Sequence, residues 1–177
     1  METGKVVIEK VDGRSLVARC FSKYPLKFII PRKVYKSVGS NCSEQVLEAK
    51  IGSDALFACI PDPVTCFSTA RYSQKQVFRV VSDSNLVIVD WITSGRYENG
   101  EKWDFQLYKS TNCVFSEDNQ PIFLDTVLLE QGTSSVVLRM QDYNVIAMII
   151  ILGPKLKDIQ VRCQEDVKNI MCGRLHG

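Results

Sequence analysis

A single histidine, His176, stands next to last among the 177 residues. That scarcity excludes multi-histidine metal sites and leaves the body of the chain without the base of a Ser-His-Asp or Cys-His pair. No two of the seven cysteines are spaced C-x-x-C, so neither a zinc knuckle nor a thioredoxin-like pair is present. The phosphate loop G-x-x-x-x-G-K-[ST], the dinucleotide fingerprint G-x-G-x-x-G and the nucleophile elbow G-x-S-x-G are all missing. An excess of one charge is missing too. Lys+Arg 22 against Asp+Glu 20 leave a net +2, which gives no reason to expect nucleic acid or an anionic membrane as partner. The longest apolar run, Val145–Leu152, falls far short of the ~20 residues that cross a bilayer. Residues 1–10 hold no uninterrupted apolar segment, so no secretory signal is expected and the chain reads as cytoplasmic.

What is present is the mix of an ordinary globular domain, 45% apolar and 24% charged. Cys59 and Cys66 sit among apolar neighbours, where free cysteine acts as a small hydrophobe, and reduced thiols fit a reducing compartment. The first two thirds read as short strands. Residues 5–9 and 15–19 flank Asp12-Gly13, a hairpin signal. Residues 45–51 alternate, 55–60 form an apolar strand closed by Pro61-Asp62-Pro63, and 74–81 with 85–91 predict a strand pair around Ser82-Asp83-Ser84. Residues 103–108 alternate, with Trp103, Phe105 and Leu107 on one face, and Pro121–Glu130 continues the pattern. Strands at such spacing predict a sandwich, barrel or stacked β architecture.

The last third changes character. Residues 134–144 predict a short helix capped by Ser134 or Ser135, and Val145–Leu152 a fully buried strand. Beyond Gly153-Pro154, Leu156, Ile159, Cys163, Val167 and Ile170 recur at three- and four-residue spacing. They make one apolar stripe on a helix of about four turns, expected to pack on a sheet.

Two acids stand out. Asp90 ends the apolar run Leu86-Val87-Ile88-Val89, and its carboxylate needs a partner, for which Arg96 is close enough in sequence. Asp125 interrupts an apolar strand between Leu124 and Thr126. Each fits a structural role, as a hydrogen-bonded turn or buried ion pair. Each also fits a wet internal channel, where carboxylates suit hard or borderline divalent cations.

Several blocks carry a resemblance. Ile60-Pro61-Asp62-Pro63-Val64, Ala70-Arg71-Tyr72-Ser73-Gln74, Asp90-Trp91-Ile92-Thr93-Ser94-Gly95-Arg96 and Gly100-Glu101-Lys102-Trp103 follow one another in the order found in the urease accessory protein D (UreD/UreH) family, nearest its plant-type members. Tyr24-Pro25-Leu26-Lys27, Lys33-Val34-Tyr35 and Met140-Gln141-Asp142-Tyr143 also match. The resemblance runs from about Val6 to Met171 and describes residues 1–177 as a single UreD-like domain. Two departures stand against it. The family's glycine-rich block, with its Gly-Asp pair, is missing near residues 32–33, and its C-terminal region is missing after about residue 171. Together they suggest an alternatively spliced product, and the missing internal block is expected to leave strand edges unpaired.

The resemblance implies a mostly β fold of stacked or sandwich-like, β-helical strands with two helices in the C-terminal third. It implies a non-enzymatic maturation factor that binds apo-urease and accessory proteins F and G and assists nickel insertion. It implies no tightly bound cofactor, nickel only in transit, and Asp90 and Asp125 as residues of the nickel path. Arg71, Ser94, Arg96 and Glu101 are motif residues expected to support the structure or an interface. The alternative is a shortened isoform that is inactive or acts only as an interaction fragment. A cysteine-dependent enzyme is not expected, since no base stands beside a thiol.

Overall fold

Period-two alternation of covered and open side chains builds the long strands between residues 43 and 115, and it sorts them into two facing sheets. The computed structural model describes the backbone of residues 4–11 and 14–20 and, with side chains except that of Tyr97, residues 42–173. The strands are β1 (Gly4–Val11), β2 (Arg14–Cys20), β3 (Ser43–Ile51), β4 (Leu56–Cys59), β5 (Val64–Thr65), β6 (Arg71–Val80), β7 (Asn85–Thr93), β8 (Leu107–Phe115), β9 (Pro121–Glu130) and β10 (Val145–Leu152). The helices are α1 (Val136–Met140) and α2 (Lys157–Gly173).

The first sheet runs β2-β1-β3-β6-β8-β9; the second runs β10-β7-β4, with β5 also against β7. From β3 to β8 the chain visits the two sheets in turn, so neighbours within a sheet are parallel: β3 with β6, β6 with β8, β4 with β7. That is β-helical winding. Antiparallel pairs finish it, β8 with β9 and β7 with β10. The mostly β, sandwich-like and β-helical expectation with two late helices therefore holds.

Four local expectations need correction. The strands around Ser82-Asp83-Ser84 exist but do not pair, because this turn carries the chain from one sheet to the other. Residues 103–106 are not strand. Trp103 takes a left-handed φ of 54°, and both Trp103 and Phe105 are buried without belonging to a sheet. β10 is covered on one face only, since Val145 and Ile149 point outward and are exposed. No residue of α2 is buried; Leu156, just before it, is the anchor. Strands β1 and β2 pair as expected, while Asp12-Gly13 lie outside the described residues. β1 also pairs in parallel with β3, so the first sheet runs on without a break from β2 through β1 to β3.

Ser135 caps α1 by accepting from the Leu138 amide at 3.4 Å. Gly153, at φ 112°, lies against the Ser84–Asn85 turn, where a Cβ would collide with the Ser84 carbonyl. The core has two apolar clusters. One gathers Ile51, Phe57, Phe78, Leu86, Ile88 and Val114; the other gathers Val64, Tyr72, Ile92, Trp103, Phe105 and Tyr108. Among the described residues no helix is long and apolar enough to cross a membrane.

Candidate functional site

Between the two apolar clusters the inward positions change chemistry. On β6 the inward series is Tyr72, Gln74, Gln76, Phe78; on β8 it is Tyr108, Ser110, Asn112, Val114; on β7 it is Ile88, Asp90, Ile92. Register aligns these series, with Gln74 opposite Ser110 and Gln76 opposite Asn112. The result is a polar belt across the middle of the sandwich.

Asp90, 5% exposed, is its centre. Gln74 Nε2 donates to Asp90 Oδ1 at 2.7 Å, Asn112 Nδ2 donates to Oδ2 at 2.7 Å, and Ser110 Oγ donates to the same oxygen. Gln76 Nε2 donates to Asn112 Oδ1 at 3.0 Å, and Tyr72 OH links Gln45 and Gln74 through their side-chain oxygens at 3.0 and 3.2 Å. Every buried side-chain nitrogen and oxygen among the described residues has a partner. A carboxylate this deep is tolerated because neutral donors satisfy it from the facing sheet. The expected partner was Arg96, and that expectation is corrected: Arg96 pairs with Glu101.

Asp125 lies on the edge strand β9, directly across from Asn112. It shares the inward face with Phe123 and Val127 and is half-buried. No hydrogen bond or ion pair reaches its carboxylate among the described residues. Asn112 thus has one acid as hydrogen-bond partner and the other as cross-strand neighbour.

The other motif residues stand apart from the belt. Ser94, buried, donates its backbone N–H to the Asn144 carbonyl at 2.8 Å. Arg96 clasps Glu101 with two hydrogen bonds, Nε to Oε2 at 2.9 Å and Nη2 to Oε1, and its guanidinium lies 5.9 Å from the Phe67 ring centre. The Arg96 hydrogen bonds hold the Glu101 carboxyl below the usual carboxylate range. Arg71 faces Glu130 at 4.0 Å on the sheet surface.

Burial pushes the Cys66 thiol up to about 12, which keeps it protonated and unreactive. Cys59, Cys66 and Cys113 are buried, whereas Cys163 and Cys172 are exposed on α2. Among the described residues no group of three or more His, Cys, Asp or Glu side chains is assembled to hold a metal ion. Gln76, Ser110 and Asn112 are not picked out by the sequence reading, and Gln74 enters it only as the last residue of a motif block. The available signal was polar residues at every second position beside aromatic ones, as in Tyr72-Ser73-Gln74-Lys75-Gln76.

A family model described as "UreD urease accessory protein" matches residues 31–174. Urease accessory protein D of Arabidopsis thaliana is 53% identical over 223 positions, covering 99% of this chain and 76% of that protein. Urease accessory protein D of Oryza sativa subsp. indica is 52% identical, over 98% of this chain and 72% of its own length. UreD of the bacterium Sorangium cellulosum is 28% identical over 86% of this chain. The Arabidopsis match spans 223 positions against 177 residues here, so at least 46 positions of that relative face no residue of this chain. These relatives are named as accessory proteins and not as enzymes. On the family match and the identity to the plant proteins, the chain belongs to the UreD family of urease accessory proteins.

Proposed function

We propose that this protein serves urease maturation as a cytoplasmic scaffold, binding apo-urease and accessory proteins F and G, and that its polar belt gives nickel a path in transit. The observation that carries the reading is a buried carboxylate, Asp90, accepting hydrogen bonds from Gln74, Ser110 and Asn112 where apolar packing would otherwise continue. Net stability gives little reason to keep such a layer, because satisfied buried polar groups return only a modest surplus over their desolvation. A transit path asks for oxygen donors that bind a divalent ion weakly and exchange with water, and for no soft cage that would trap it. Asp125, half-buried beside Asn112, is the next carboxylate along that path. Arg71, Ser94, Arg96 and Glu101 support the frame.

The test is urease activation in cells co-expressing apo-urease, F, G and this chain. Asp90→Ala is expected to lower activation by about tenfold while the complex still forms on size exclusion. Unchanged activation by Asp90→Ala overturns the path. A second reading is favoured by the positions of the relatives that face no residue here: an interaction fragment that binds partners without passing metal. It predicts complex formation without activation by the unmutated chain, and activation once the missing block is restored.

A further inference from the structure

The outer faces of the two sheets differ in kind. The first sheet exposes Glu48, Lys50, Lys75, Arg79 and Lys109. The second exposes no charged side chain on β4, β7 or β10; Leu56, Val87, Val89, Val145, Ile149 and Ile151 run across it. A sheet apolar on both faces is normally covered on both. Here α2 covers it poorly. The helix is fastened at its start, by buried Leu156 and by Gln160 Nε2 donating to the Ile151 carbonyl at 2.7 Å. Between β10 and the helix a groove of about 520 Å³ opens, with Ile149 and Ile151 on one side and Cys163 and Val167, flanked by Gln160, Gln164 and Lys168, on the other. Ile149 is 62% exposed and Val167 54%.

We infer that a second copy of this chain fills that groove, the two copies related by a twofold axis with their α2 helices antiparallel. The occupant such a groove accepts is a helix with one apolar stripe, and α2 is one, 17 residues carrying Ile159, Cys163, Val167 and Ile170. The arrangement is isologous, so each helix fills the other copy's groove and one contact repairs two exposed faces. Charge fixes the direction. Arg162 and Asp166, four residues apart on one flank of the stripe, have no ion-pair partner among the described residues. An antiparallel pair centred near Gln164 sets Arg162 of each copy beside Asp166 of the other, and nothing charged on the outer face of β4, β7 or β10 opposes it. A parallel pair would set like charges together.

The test is light scattering coupled to size exclusion on the full chain over a concentration series, with circular dichroism as the check on folding. A mass twice the 20.0 kDa of one chain is expected. Val167→Glu, at an exposed helical position, should return the protein to a monomer. Arg162→Asp should weaken the dimer by about tenfold or more, and adding Asp166→Arg should restore it. A monomer at all concentrations overturns the inference, and so does a dimer indifferent to Val167→Glu or a double reversal that fails to restore. None of these outcomes depends on nickel or urease.

Discussion

The ends of the sandwich and its middle are made by the same strands and obey different rules. At one end β6, β7 and β8 bring Phe78, Ile88 and Val114 together; two residues along each strand they bring Gln76, Asp90 and Asn112. The ends stabilise through area removed from water and need only shape. The belt contributes little in net terms and fails at once if a single partner is lost. A buried layer that is costly to keep intact and weak as a source of stability is the part of the sandwich that folding alone explains least.

Three changes separate the two regimes. The largest effect is expected at an end: Phe78→Ala should lower unfolding free energy by about 3–5 kcal/mol in urea titration, as a large buried ring leaves a cavity. A loss near 1 kcal/mol would mean that the ends are loosely packed. In the belt, Asp90→Asn keeps the shape but turns one acceptor into a donor facing donors from Gln74, Ser110 and Asn112. About 1–3 kcal/mol should be lost by the same measurement. No loss would mean that the belt is wet enough to re-pair its groups, and the contrast between middle and ends would dissolve.

The smallest effect lies outside both, at the Arg96–Glu101 clasp, whose Arg96 is exposed. Because the folded Glu101 carboxyl is held below its usual 4.5, its stabilisation is present above that value and is lost as pH falls through the lower folded value. Glu101→Gln should therefore melt slightly below the parent at pH 7, by a gap that narrows as pH falls below 4.5. A gap that does not narrow on acidification would assign the clasp's effect to packing on Phe67 instead of charge.

Legibility in the sequence followed the same division. β4 and β10 were readable because their covered positions are apolar, and in β3 and β9 the period-two signal survives Gln45 and Asp125. β8 was not. Ser110 and Asn112 occupy its inward positions, so the stretch that builds half the belt looks polar, and the strand was sought instead at Trp103 and Phe105. Asp90 stood out because it breaks an apolar run. Its donors did not, because they come from strands 16 to 22 residues away whose pairing no local pattern encodes. The sheet assignments of β6 and β7 failed for a related reason: a tight serine-rich turn looks the same whether it joins partners or layers. The exposed stripe of α2 was legible as a stripe, but its spacing does not say what the helix packs against.

The winding of the strands also sets a timetable. Gln74 and Ser110 meet across 36 residues of chain, and between them lies a strand that belongs to the other sheet. No parallel pair in the first sheet can be secured by a local turn, so each waits for a full circuit of the coil and for the entropy of closing it. Folding should be slow for a chain of this size, advancing circuit by circuit from β3, with β9 locking the last parallel strand of its sheet. Until that step the apolar inner faces of β6 and β7 stand open, and the nascent protein is most vulnerable to aggregation in that interval.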